Sequence, residues 1–297
     1  MPRGSVIICS RNRPQMLRDC VHSVIAGTAQ PDEIVVVDQS QRSDPTLEAL
    51  GVDGGSTCHV RYHWTPEPGL SRAINLAVDL ARYDSLVFTH DDVIVGKGWY
   101  RSLIGALATE SPPIIVTGRV VASDEAIEGG FVPSVMLELK PQRYTGRLDK
   151  DVLYPMNMAM HRSTFNLVGH FDERLGPGTS YPAAEDNDYG FRALEKGTTI
   201  QYLPQAEVQQ RAWRTDVARL RWHYALGQGA FFAKHLEFRD RHMLLRLVRE
   251  GARYVGLAVQ HAGQFDRRAM GYAASAAGLV AGVIRWQVRH ALRDRLS

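Results

Sequence analysis

Residues 85–92 read Ser-Leu-Val-Phe-Thr-His-Asp-Asp, a short apolar run without polar alternation that closes on a histidine and two acids. A strand that stays apolar on successive residues is buried on both faces. Working outward, Ser5–Cys9 is a second such run, Glu33–Asp38 (EIVVVD) is β-branched and also ends in an acid, and Val60–Trp64 reads as a further strand. Between them Met16, Leu17, Cys20, Val21, Val24 and Ile25, and later Leu70, Ala73, Ile74, Ala77 and Val78, recur at helical spacing. This alternation predicts an α/β fold: a mostly parallel sheet flanked by helices on both faces.

In such sheets ligands bind beyond the carboxyl ends of the strands. Ser10, Arg11, Asn12 and Arg13 follow the first strand, Asp38 closes the second, and His90, Asp91 and Asp92 follow SLVFT. Turn chemistry alone accounts for any one of these clusters; three at three strand ends mark a site. From Val120 to Leu153 the pattern dissolves among Gly129, Gly130, Pro133, Pro141 and Gly146. Order resumes at Pro155–His161, with a helix from near Ser163, a loop over Gly169–Pro182, and a helix from about Ala184 to Lys196. After Arg211 the chain reads as helix almost throughout.

With 297 residues, 44% hydrophobic and 23% charged, the composition is that of a folded soluble protein and excludes collagen, intrinsic disorder and a disulfide scaffold. Three cysteines, Cys9, Cys20 and Cys58, lack any CxxC or Cys/His spacing, so a reducing cytoplasm is the expected setting. The N-terminal apolar run is far shorter than a signal-peptide core or a membrane span. The small net charge hides a polarity: residues 211–297 hold 16 Lys and Arg against 6 acids, whereas residues 1–210 carry a net −7. A basic tail suits an anionic partner, nucleic acid or an anionic membrane leaflet, although arginines spread along helices also describe a solvated face.

Adjacent Asp91 and Asp92 form a hard-oxygen pair of the type that takes Mg²⁺ or Mn²⁺ while substrate phosphates fill the remaining positions. No GxGxxG or GxxxxGK[ST] occurs, so a diphosphate would be neutralised by metal and arginine rather than by backbone amides. That favours nucleotide-sugar chemistry over dinucleotide redox chemistry or ATP hydrolysis. A second cluster, Glu185-Asp186-Asn187-Asp188, opens a helix. The helix dipole alone favours acids there. On a helix, though, Glu185 and Asp188 share a face while Asp186 points elsewhere, so one carboxylate can face a cleft. As a general base toward an acceptor hydroxyl it would contribute about 10² to 10⁴ in rate.

Asp38, Thr89-His90-Asp91-Asp92, Asn157-Met158-Ala159-Met160-His161-Arg162, the run from Val168 to Gly178 (VGHFDERLGPG) and Glu185-Asp186-Asn187-Asp188 together resemble family 2 glycosyltransferases of the GT-A fold, in order and spacing, over roughly residues 5–235. FDERLGPG followed by EDND carries most of the specificity. The resemblance implies an inverting transfer of a sugar from a nucleotide-diphosphate donor to an acceptor hydroxyl of a glycan, a lipid-linked saccharide or a small molecule. It implies that Ser10, Arg13, Asp38, Asn75, Asp91 and Asn157 bind the donor and that Asp92, with Asp91, holds a divalent cation, Mg²⁺ or Mn²⁺. Asp186 matches the catalytic base, and Glu185 its orienting neighbour.

Three positions depart from the family pattern: His90 stands where relatives often have a third acid, Ile74 stands in place of an arginine, and Gln209-Gln210 fall where a further histidine ligand is common. These leave a catalytically inactive nucleotide-sugar-binding protein as the alternative, against which Asp92, Glu185 and Asp186 argue. The expected organisation is a catalytic domain over residues 1–210, with a donor half to about 119 and an acceptor half beyond, then a basic helical extension over 211–297. In that extension Gly227 and Gly229 suggest close packing. The charge-free Ala269–Ile284, with Gly278 and Gly282 at GxxxG spacing, is short of the roughly 20 residues that span a bilayer. It reads as a helix packed on the body or lying at a membrane surface, and the expected location is cytoplasmic, peripheral at the inner face of the membrane. No nucleic-acid-binding motif is present.

Overall fold

The computed structural model describes residues 2–50, 58–237, 239–263 and 268–294. In chain order the elements are β1 (Gly4–Ser10), α1 (Pro14–Ile25), β2 (Glu33–Asp38), α2 (Pro45–Leu50), β3 (His59–Trp64), α3 (Leu70–Leu80), β4 (Ser85–His90), β5 (Val93–Val95) and α4 (Trp99–Thr109). They continue through β6 (Ile114–Ala122), β7 (Gln142–Tyr144), β8 (Asn157–His161), α5 (Arg162–Val168), α6 (Glu185–Glu195), β9 (Thr199–Gln210), α7 (Val217–Leu236), α8 (Arg241–Gly263) and α9 (Arg268–Asp294). Two compact units result: Met1–Phe171 with Tyr189–Arg214, and Asp172–Asp188 with Thr215–Ser297. The division falls inside α6.

The first unit is built on a sheet in the order β3-β2-β1-β4-β8-β6-β9-β5, with β7 added on β9. The four strands legible from sequence pair in parallel, β3 on β2, β2 on β1 and β1 on β4. Beyond β4 the sheet turns mixed, because β8 lies antiparallel between β4 and β6, and β5 and β7 run antiparallel to β9. The continuous apolar strands are explained by burial on both faces: Val6 and Ile8 of β1 enter one core with Leu17, Val21 and Trp99, while Ile7 and Cys9 enter the other with Ala77, Phe165 and Tyr189. Gly118 sits where the β6–β9 register shifts, and a Cβ there would collide with the Ala206 carbonyl.

The second unit is helical. Gly278 and Gly282 of α9 face the backbone of α7, where a Cβ on Gly278 would stand 2.7 Å from the Trp222 carbonyl and one on Gly282 would run into that of Leu226. The GxxxG spacing is thus a seam that lets two helix backbones approach closely. Among the described residues no helix is long and apolar enough to cross a membrane. Replacing Gly282 with Val should force α7 and α9 apart and destabilise this unit by about 2 kcal/mol or more; thermal unfolding followed by circular dichroism should show a midpoint lowered by several degrees, and an unchanged midpoint would mean that the seam is not tight.

Candidate active site

Parallel strands β1 and β4 end side by side, Cys9 opposite His90, and this adjacency assembles the first cluster. Ser10 Oγ donates to Asp91 Oδ2 at 2.8 Å, and Arg13 Nη1 donates to Asp91 Oδ1 at 3.0 Å and to Asp92 Oδ2 at 2.8 Å. Both acids are buried, and Arg13 is partly exposed. Burial pushes Asp91 up to about 6, against the pull of Arg13. Asp92 Oδ1 is buried and has no hydrogen-bond partner. The residues therefore fit a hard divalent cation: a strand-end carboxylate pair with one oxygen unclaimed, beside a guanidinium that balances only part of the charge.

The remaining donor-side residues are held by specific contacts. Asp38, buried at the end of β2, accepts from Tyr62 Oη at 2.7 Å and from the Ser40 amide at 2.9 Å and also its hydroxyl. Asn75 of α3 exchanges two hydrogen bonds with the Phe171 backbone, at 3.0 and 2.9 Å. Asn157, fully buried at the start of β8, accepts from Trp99 Nε1 at 2.8 Å and donates to the carbonyls of Arg119 and Ala206 at 2.9 and 2.7 Å. Both asparagines join distant segments, so the structure gives each a bracing contact that no local pattern shows. Arg72 pairs with Glu67 at 2.7 Å. His90 is half-buried, but its Nε2 is buried and unpartnered, and desolvation lowers its pKa. Gln210 Oε1 is likewise buried without a partner, while the next residue, Arg211, donates its amide to the Asp92 carbonyl at 2.8 Å. Among the described residues no group of three or more His, Cys, Asp or Glu side chains gathers closely enough to hold a metal alone.

In the second unit the chain enters α6 through Ala184, whose φ of +72° lies in the left-handed region. Such a conformation at a non-glycine residue costs roughly 1–3 kcal/mol and persists only where its surroundings impose it. Directly after it come Glu185 and Asp186. Glu185 is buried against Gly176, and burial, reinforced by the Asp186 charge, raises it to about 8. One turn on, fully buried Asp188 meets Lys234 Nζ at 2.7 Å and His235 Nε2 at 2.9 Å through a single oxygen. Lys234 also reaches Asp172 at 2.8 Å, and Arg174 grips Asp172 through two nitrogens at 2.9 and 2.7 Å. These contacts hold Asp172 down at about 2 despite its burial. The sequence reading missed Ala184, Lys234 and His235; the available signal was a Lys-His pair placed directly after the apolar Ala230–Ala233.

The fold is that of the GT-A glycosyltransferases, enzymes that use nucleotide-activated sugars. The model of glycosyl transferase family 2 matches residues 5–168, and the chain belongs to that family. No curated protein matches it significantly. Among solved structures, S. aureus TarS is 18% identical with a TM-score of 0.55, over 80% of this chain and 44% of that one. GalNAc-T7, solved with UDP, GalNAc and Mn²⁺, is 17% identical with a TM-score of 0.55, over 80% of this chain and 51% of the other. Mannosyltransferase PcManGT from Pyrobaculum calidifontis, in complex with GDP-Man and Mn²⁺, is 15% identical with a TM-score of 0.58, over 96% and 87%. At these identities the likeness is one of fold, and the chain spans about half the length of the first two.

Two outcomes follow from the second unit's acids. Because Glu185 is raised from 4.5 to about 8, its contribution is present at low pH and lost as pH rises through that range. The thermal midpoint should fall accordingly in the wild type, and Glu185→Gln should flatten the curve; parallel curves would refute the assignment. Lys234→Met leaves Asp188 and Asp172 without their shared cation in a buried setting, and urea unfolding should record a loss of about 3–5 kcal/mol. Pairing it with Asp188→Asn should recover part of that loss.

Proposed function

We propose that the protein is an inverting, metal-dependent glycosyltransferase that moves a sugar from a nucleotide diphosphate to an acceptor hydroxyl in the synthesis of a cell-surface glycan, a glycolipid or a natural-product glycoside. The observation that carries this reading is the Asp91–Asp92 pair at the β4 end, bound by Ser10 and Arg13 yet leaving Asp92 Oδ1 unclaimed. In an anion-binding site with no glycine-rich phosphate loop, this pair would hold Mg²⁺ or Mn²⁺, with Asp92 as the direct ligand. When bound, the cation neutralises the diphosphate as its bond to the sugar breaks. Arg13 and Ser10 orient the carboxylates, and Asp38 receives the nucleoside. Asn75 and Asn157 belong to the donor side as braces that keep its walls in place.

Asp186 takes the proton from the acceptor hydroxyl as that oxygen attacks the anomeric carbon. The new C–O bond forms while the bond to the diphosphate breaks, and the nucleotide leaves with the electron pair, inverting the anomeric configuration. Glu185, whose carboxyl is raised by burial and by the Asp186 charge, orients Asp186. We assign donor handling to residues 1–119, acceptor handling to 120–210, and the basic helical extension to 211–297, with the protein working in the cytoplasm.

UDP-, dTDP- and GDP-sugars, each with and without Mn²⁺ or Mg²⁺, can be screened by thermal shift. One nucleotide class should stabilise the wild type in a metal-dependent way, by about 2.7 kcal/mol at a hundredfold excess over its dissociation constant, and Asp92→Ala should abolish the effect. Asp186→Asn should keep this donor response and lose transfer by about 10² or more. Equal transfer by Asp186→Asn and wild type would sink the base assignment, and a wild type that responds to no donor would favour a non-catalytic protein.

A further inference from the structure

Helices α8 and α9 both carry apolar side chains on the side that faces water. On α8, Leu244, Leu245, Val248, Val255 and Val259 are 49–68% exposed. At about 100° per residue they fall within an arc of about 100°. On α9, Met270, Val280, Ile284 and Val288 are 53–69% exposed and share a similar arc. An amphipathic helix in a globular domain points such a stripe inward. Here the inward positions are filled by other residues. Arg246 of α8 lies over the rings of Phe231 and Phe232 of α7, and Tyr254 donates to Gln228. On α9 it is Gly271, Gly278 and Gly282 that meet Arg221, Trp222 and Leu226 of α7. On α8 the apolar arc lies opposite the residues packed on α7; on α9 it lies off the glycine seam, with Ile284 and Val288 at the edge where Trp222 and Leu226 of α7 begin. The two helices, which touch through Leu279 and Gly251 and through stacked Tyr272 and His261, therefore both turn apolar faces to water.

The charge of this stretch of sequence is one-sided. From Arg241 to the C-terminus there are ten arginines against three acids, Glu250, Asp266 and Asp294. Arg249 follows directly on the α8 stripe. Along the α9 stripe, Ile284, Val288, Arg285 and Arg289 line a groove of about 530 Å³ together with Trp222 and Leu226 of α7. An apolar centre with an arginine rim complements a layer that is hydrocarbon inside and anionic at its surface. A second copy of the chain would bring the same positive charge against it. We propose that the outer face of α8 and α9 docks in the plane of an anionic membrane leaflet, its valines, leucines and Ile284 entering the acyl boundary and its arginines pairing with lipid phosphates. This inference rests on the second unit's surface, and its test reads no sugar transfer, so its fate is separate from that of the donor site.

Full-length protein should float with vesicles of phosphatidylcholine and phosphatidylglycerol and remain at the bottom with phosphatidylcholine alone. Val248→Ser/Val255→Ser/Ile284→Ser alters only exposed positions, so its circular dichroism and thermal midpoint should match the wild type while its partition into anionic vesicles falls about tenfold or more. The proposal is overturned if the wild type stays at the bottom with both vesicles, or if the folded triple variant floats as well as the wild type. It is also overturned if sedimentation equilibrium without lipid shows a wild-type dimer that the same substitutions dissolve, because the face would then belong to a second copy.

Discussion

Two adjacent buried carboxylates are the constraint around which the first unit is organised. Asp91 and Asp92 could not both be ionised in a low-dielectric strand end without nearby positive charge. Arg13 supplies it by donating to both from a single nitrogen. That contact requires β1 and β4 to be parallel neighbours ending at the same level, which in turn requires a sheet covered on both faces and strands that are apolar throughout. The SLVFTHDD stretch thus encodes both the sheet and the reason for the turn after β1 to begin Ser-Arg-Asn-Arg. One guanidinium against two carboxylates leaves charge uncompensated and one oxygen unclaimed.

The second unit treats buried acids differently. Asp188 and Asp172 share Lys234, Asp172 also holds Arg174, and His235 lies against Asp188. This network is closed: its charges compensate one another, and its role is to fix the first turn of α6. Arg174 continues it by stacking over Trp286, whose indole donates to Glu237. Glu185 and Asp186 stand on that same turn, and Glu185 is pushed up by burial and by the neighbouring Asp186 charge. Strongly perturbed acids cluster at functional sites, and that sets Glu185 apart from the compensated Asp172 and Asp188.

The sequence made the strand-end clusters legible because period and polarity are local properties. Asp38, Asp91 and Asp92 announce themselves by terminating apolar runs, and the β1–β4 pairing brings Ser10 and Arg13 onto Asp91 as their place after a strand suggested. The contacts of Asn75 and Asn157 were not legible, since each amide is matched to backbone groups far away in the chain: Phe171 for one, Arg119 and Ala206 for the other. Nor could the pattern show β8 inserting antiparallel between β4 and β6. An apolar Asn-Met-Ala-Met-His run states that a strand is buried and says nothing of its direction. The left-handed Ala184 lacks any compositional marker, because alanine has no preference for positive φ and is held there by its surroundings.

Gly278 and Gly282 show why one spacing supports two readings. Small residues four apart let helix backbones approach, whether the surrounding medium is lipid or protein. Here the contact is with α7, so the glycines account for one face of α9 and leave the opposite face to be explained. If α9 were only a packing element, selection for solubility would place polar residues at Val280, Ile284 and Val288, where side chains reach water and bear no load in the seam. They are apolar, and α8 repeats the arrangement with Val248, Val255 and Val259. Two touching helices of independent sequence that both reverse the usual amphipathic sense within an excess of arginine are better accounted for by a surface that receives them than by chance composition.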